Sequence, residues 1–196
     1  MDVTLDVNEV LSVVLVGLPG CGKSTVGRQL ARHIGYRFRD SDAEIESRLG
    51  QSIRSYFEQQ GEEAFRDVEQ EVLDGLSSEG HLVLATGGGA VLRPANRLAL
   101  ARPGNRVVYL RSSPEDLARR LRHDTQRPLL QGGDALKKLK ELHRVRDPLY
   151  REVAHYIIDT GRVSLATLVN LVVMQLDLAT SPPPPMEPPA VPGVTS

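Results

Sequence analysis

Five short runs of apolar or β-branched residues punctuate the chain: Val10 to Val16, Tyr36 to Asp40, His81 to Ala85, Arg106 to Leu110 and His155 to Asp159. Each has the length of a strand rather than of a helix. Between them, Thr25 to Ile34, Glu62 to Leu76, Pro114 to Arg122 and Leu136 to Val153 carry apolar residues at helical spacing. Strands alternating with helices predict a mostly parallel sheet covered on both faces, because parallel strands need crossover connections. The segment LSVVLV is apolar at five of six positions, the pattern of a strand buried on both faces, and is placed at the centre of the sheet.

The pattern ends before Ser181, where SPPPPMEPPAVPGVTS removes backbone donors and offers little apolar surface. Residues 1–178 are therefore read as one domain and residues 179–196 as a disordered, solvated, proline-rich tail. Charge changes this picture little. Lys and Arg number 24 against 25 acidic residues, so no global field attracts nucleic acid or a membrane surface, and any anionic partner must meet a local cluster. Cys21 is the one cysteine, the first residues MDVTLDVNEV are acidic where a secretory signal is basic, and no apolar run approaches spanning length. These features predict a cytoplasmic protein. The histidines, at 33, 81, 123, 143 and 155, lack metal-ligand spacing and are read as structural.

The candidate chemistry begins where the central strand ends. Gly17-Leu18-Pro19-Gly20-Cys21-Gly22-Lys23-Ser24-Thr25 matches G-x-x-x-x-G-K-S between a buried strand and a helical pattern, the context a phosphate-binding loop requires. Glycines let successive N–H groups turn toward one anion, and the helix that follows adds the positive end of its dipole. Gly20, Cys21, Gly22, Lys23, Ser24 and Thr25 are the expected ATP-binding residues. Lys23 reaches the β- and γ-phosphates, and the Ser24 hydroxyl ligates Mg2+. Cys21 is read as a small residue that fits the loop; a thiol made reactive by the helix terminus is the alternative.

Many phosphate-loop proteins place an aspartate at the end of another apolar strand, yet LVLA runs into Thr86-Gly87-Gly88-Gly89 without one. The acids stand instead after the second strand, as Asp40-Ser41-Asp42. Alone, D-S-D reads as a helix cap. With a phosphate loop upstream it reads as a pair in which one carboxylate serves the magnesium shell and the other faces a substrate hydroxyl.

With these residues in view, the chain resembles the shikimate kinase family from Leu11 to about Leu178. The resemblance rests on GLPGCGKST, D-S-D, EEAFRDVE at Glu62 to Glu69, GGGAV at Gly87 to Val91, RPLL at Arg127 to Leu130 and DPLYR at Asp147 to Arg151. It implies a nucleoside-monophosphate-kinase-like α/β fold, a three-layer sandwich with a central five-stranded parallel sheet and a lid at about residues 122–134. It also implies transfer of the γ-phosphate of ATP to the 3-hydroxyl of shikimate, a step toward chorismate and the aromatic amino acids. By motif match, Asp40 resembles the aspartate that supports Mg2+ through water, and Asp42 the one that bonds shikimate hydroxyls. Arg66 and Arg151 resemble the arginines that clamp its carboxylate beside the amides of Gly87, Gly88 and Gly89, with Phe57 and Phe65 as walls. Arg127 resembles the lid arginine over the phosphates, and Arg120 the arginine stacked on adenine. Lys23, Asp42 and Arg127 are thus the expected catalytic set, and a monomer is implied.

Physical chemistry supports each role. Paired guanidiniums grip and orient a carboxylate, glycines allow close backbone approach, and Glu69, three residues past Arg66 on a helix, can hold that arginine. The loop after the last strand, Asp159 to Ser164, lacks the proline many relatives place against the adenine, so that wall stays unassigned. Two other readings remain open at this point: a gluconate-type or nucleotide kinase of related fold, and a nucleotide-binding regulatory module without catalysis.

Overall fold

Five parallel strands form the sheet: Ser12–Val16 (β1), Arg37–Asp40 (β2), Leu82–Ala85 (β3), Asn105–Arg111 (β4) and Tyr156–Asp159 (β5). Their order is β2-β3-β1-β4-β5, with β1 at the centre as its sequence predicts. This is a computed structural model, and it describes residues 12–122 and 134–180. The first two residues of the predicted first strand, most of the predicted lid, Arg127, and residues 181–196 of the predicted tail lie outside the described residues.

Every residue of β1 and of β3 is buried, because helices cover both faces. The helices are Lys23–Ile34 (α1), Ser41–Leu49 (α2), Ile53–Leu76 (α3), Pro94–Leu100 (α4), Pro114–Leu121 (α5), Ala135–Val153 (α6) and Leu165–Thr180 (α7). Gly27 lets α1 lie close on the sheet: a Cβ there would meet the Phe38 ring at 2.7 Å. Glycine 61 sits inside α3 at φ 84°, so α3 is two helices joined at a kink. The predicted helix from Glu62 corresponds to the second of these. α7 continues to Thr180, two residues past the predicted domain end.

Parallel connectivity puts the C-terminal end of every strand on one edge, where α/β sheets place their ligands. The phosphate loop follows β1, Asp40 ends β2, Thr86 to Gly89 follow β3, and Thr160 follows β5. Thr86 locks two of these ends together, donating to Leu15 O from its N–H at 3.2 Å and its hydroxyl at 2.9 Å. At the opposite edge the His155 Nδ1 accepts the Val107 N–H at 2.9 Å, a structural role of the kind the spacing predicted. Among the described residues, no helix is long and apolar enough to cross a membrane.

Candidate active site

The loop after β1 has the backbone that its glycines require. Gly17, at φ 152°, has no room for a side chain: a Cβ would lie 2.6 Å from Leu110 O and 2.8 Å from Cys21 Sγ. Gly22 caps α1 at φ 96°, a conformation costly for a residue with a Cβ. Lys23 is only 8% exposed, and its ammonium donates to Gly17 O at 2.8 Å and Leu18 O at 2.9 Å. It thus reaches back across the loop it follows. Cys21 is buried with its sulfur 3.7 Å from that ammonium, while Thr25 is exposed on the first turn of α1.

The cap reading of D-S-D holds, and the two oxygens of Asp40 do different things. Oδ1 caps α2, accepting from the Asp42 N–H at 3.0 Å and the Ala43 N–H at 3.3 Å. Oδ2 accepts from the Ser24 hydroxyl at 2.5 Å, bringing the carboxylate to the phosphate loop. Ser41 between them is buried and accepts the Gly87 N–H at 3.0 Å, which ties the end of β2 to the glycine run.

Asp42 is exposed by surface area, yet atoms of several elements surround its carboxyl. That loss of water is the largest cause of a pKa raised to about 6, followed by repulsion from Asp40 and Glu69. Lys23 acts in the opposite direction, so the carboxyl stands within electrostatic reach of both the phosphate loop and α3.

Beyond Asp42 lies the glycine run. None of Gly87, Gly88 and Gly89 has left-handed φ, so these positions need space rather than conformational freedom. A Cβ on Gly87 would lie 2.6 Å from Asp42 Oδ1, and one on Gly89 would lie 2.5 Å from Arg66 Nη1. Arg66 is held by Glu69, itself only 1% exposed, through Nη1 to Oε2 at 2.7 Å. Its guanidinium also lies 5.1 Å from the Phe65 ring centre, and Phe65 packs on half-buried Phe57 at 5.3 Å. The Arg66 Nε is buried and has no hydrogen-bond partner, while Nη2 donates to Glu62 Oε1 at 3.3 Å.

Arg151 is not brought to this cluster. Its side chain is 44% exposed and donates to Asp147 Oδ2 at 2.7 Å, on a different face of α6. The arginine that does arrive is Arg146: a Cβ on Gly88 would meet its Nη1 at 3.1 Å. One turn further, Tyr150 is buried and donates to Gly88 O at 2.5 Å. Five residues on a helix turn the chain by about 500°, which leaves positions 146 and 151 about 140° apart. The DPLYR match therefore lies on the helix that reaches Gly88, with Arg151 on a face turned away from it. The signal that finds Arg146 is its i, i+4 relation to the buried Tyr150.

Arg120, on α5, donates to Thr160 O at 3.3 Å and Gly161 O at 2.9 Å. It thereby faces the proline-free loop after β5, which Arg111 also braces by paired bonds to Asp159 at 2.5 and 2.7 Å.

A parallel sheet with a phosphate loop on its central strand, and with acids and arginines converging on the same edge, defines a small-molecule kinase of the P-loop class. The family model described as shikimate kinase matches residues 19–177. A shikimate kinase of Paracidovorax citrulli is 55% identical over 177 residues, covering 89% of this chain and 96% of the relative. One of Ralstonia nicotianae is 53% identical, covering 87% and 89%. Among solved structures, shikimate kinase from Acinetobacter baumannii in complex with shikimate is 45% identical, with a TM-score of 0.80 over 87% of this chain and 94% of that one. The chain belongs to the shikimate kinase family. A gluconokinase from Sinorhizobium meliloti, 21% identical with a TM-score of 0.56 over 87% of this chain and 94% of that one, shares the fold alone.

Proposed function

We infer that the chain catalyses phosphorylation of shikimate at its 3-hydroxyl by ATP, releasing ADP and shikimate 3-phosphate on the route to aromatic amino acids. The observation that carries the residue assignment is the position of Asp42, within reach of Lys23 on one side and in contact with Gly87 on the other. A carboxylate there stands between a phosphate donor held by Gly20, Cys21, Gly22, Lys23, Ser24 and Thr25 and an acceptor held beyond the glycine run.

Lys23 neutralises charge on the moving phosphoryl, and Asp42 orients the 3-hydroxyl and accepts its proton. Positioning outweighs deprotonation here, because phosphoryl transfer passes through a loose transition state. The acceptor's carboxylate is clamped by Arg66 and Arg146 beside Gly88 and Gly89, with Phe57 and Phe65 as an apolar wall. Glu69 supports this reading, because it fixes the guanidinium before substrate arrives. Arg120 and the loop at Thr160 and Gly161 flank the adenine. Arg127, in the lid outside the described residues, is assigned to the phosphates from its place in RPLL.

The residues also fit Mg2+. Ser24 Oγ and Asp40 Oδ2 are hard oxygen donors that converge, and no group of three or more acidic, His or Cys side chains forms a closed metal cage among the described residues. Mg2+ favours such sites, where a few protein oxygens leave places for water and phosphate. When bound, Mg2+ supplies positive charge to the phosphates. The groups that hold both substrates come from one chain, which supports a monomer, and consumption of ATP fits a cytoplasmic location.

Kinetics of two alanine variants test the clamp. A hydrogen bond to a charged group contributes about 1.5–3 kcal/mol. Arg146→Ala therefore raises the KM for shikimate about ten- to a hundredfold with little change for ATP, while Arg151→Ala changes it less than about threefold. The reverse order would return the clamp to Arg151.

A further inference from the structure

One cluster beside the site takes no part in the proposed chemistry. Asp147, 16% exposed in its side chain, receives the Tyr109 hydroxyl at Oδ1 at 2.8 Å and the Arg151 Nε at Oδ2 at 2.7 Å. His143 approaches the same Oδ1 at 3.7 Å. Burial acts to raise the Asp147 pKa, but the hydrogen bonds from Arg151 and Tyr109 outweigh it and hold the group below its usual range. Burial and the bond to Asp147 both raise the Tyr109 pKa. The pair is therefore a neutral donor on an ionised acceptor, the stronger class of hydrogen bond.

Tyr109 supports α6 at two points. Its hydroxyl holds Asp147, and its ring lies 4.9 Å from the ring of Tyr150, tilted by 36°. Tyr109 is almost wholly buried and pairs in register with Val16, the last residue of β1 before the phosphate loop. This is a rigid anchor at the root of the site. The stretch of α6 it holds is the one that needs holding, because Pro148 has no N–H to complete the helical bond to residue 144. Arg146 and Tyr150 sit on either side of that gap.

We propose that Tyr109, acting through Asp147, is a positioning residue for shikimate binding: it fixes the rotation of α6 so that Arg146 and Tyr150 meet Gly88. The inference rests on the clamp reading of Arg146. Without the Tyr109–Asp147 bond the helix keeps its core contacts but loses the tether that sets its phase at the broken turn. Arg146 then spends less of its time where a carboxylate needs it, which weakens acceptor binding and leaves the nucleotide side untouched.

The test is steady-state kinetics on Tyr109→Phe, Asp147→Ala, Asp147→Asn and the Tyr109→Phe/Asp147→Ala double variant, with melting curves for each. Tyr109→Phe removes one hydroxyl and keeps the ring, so it tests the bond in a folded protein. Tyr109→Phe and Asp147→Ala should each raise the shikimate KM about three- to tenfold, the loss expected for about one hydrogen bond, with ATP KM and kcat within about twofold. The double variant should be no worse than the weaker single, because both remove the same bond. Asp147→Asn, which keeps the acceptor but not the charge, should give a shikimate KM between those of the native enzyme and Asp147→Ala. An unchanged shikimate KM in Tyr109→Phe overturns the inference, as do equal rises for both substrates, additive effects in the double variant, or an Asn variant as poor as the Ala variant. Arg146→Ala separates the two levels: a silent Arg146→Ala sinks the clamp itself, whereas a large effect there with a silent Tyr109→Phe sinks this inference alone.

Discussion

Lys23→Ala lowers kcat by about a hundred- to a thousandfold, the range found when one preorganised donor is removed from a developing charge. The ammonium is held inside the loop by two carbonyls, Gly17 O and Leu18 O, so it stands at the root of the phosphate site with little conformational entropy left to lose. Alanine removes the charge without touching the glycine conformations that shape the loop. ATP affinity should therefore fall less than turnover does, and the melting temperature should drop modestly, because Gly17 O and Leu18 O lose their donor. Rapid-quench measurement of the first turnover, with nucleotide binding followed separately, checks this; a kcat within about threefold of native would mean that the phosphates sit elsewhere.

Asp42→Asn should remove most turnover while nucleotide binding remains. Asparagine keeps the size of the side chain, but it lacks the charge that holds the hydroxyl in line and cannot take its proton. The raised pKa gives a second signature. Because the carboxyl titrates at about 6 and acts when ionised, kcat/KM for shikimate falls as pH drops through about 6, a limb that reports the free enzyme. The direction follows from the cause: enclosure favours the neutral acid, so protonation competes at a higher pH than for an ordinary carboxylate. In Asp42→Asn the residual activity should lose that acidic limb. A native-like profile and rate in the variant would remove Asp42 from the mechanism.

Much of the fold was legible because its inner strands, SVVLV and LVLA, are almost wholly apolar. A buried parallel strand needs no alternation, and the segment at Ser12 to Val16 announced both its burial and its central place. The shorter helices were harder to see. α2 is polar along most of its length, and its start was visible only as the cap residue Asp40. α3 begins well before the predicted Glu62, because Gly61 breaks the periodicity in its middle.

The candidate site was legible where chemistry fixes spacing along the chain, and less so where it depends on rotation about a helix. The phosphate loop and D-S-D belong to the first kind: strand ends and glycine turns leave few ways to arrange them. Arg66 and Glu69, three residues apart, were predicted to pair and do so. The second arginine belongs to the other kind. The motif match chose Arg151, and the spacing of DPLYR by itself does not say which face of the helix turns inward. Only the buried hydroxyl of Tyr150 on Gly88 shows which face of α6 turns inward. The glycine run was likewise predicted for close approach, but its reason became visible only when Asp42, Pro19, Arg146 and Arg66 were found where side chains would have to go.

This chain passes phosphate from ATP to shikimate rather than to another polyol. A coupled assay for ADP formation tests it most directly, run with MgATP alone, with shikimate and with gluconate. The account predicts sustained ADP formation with shikimate only, at background rates otherwise. ADP formation that is independent of shikimate, or that gluconate supports as well as shikimate does, would contradict it.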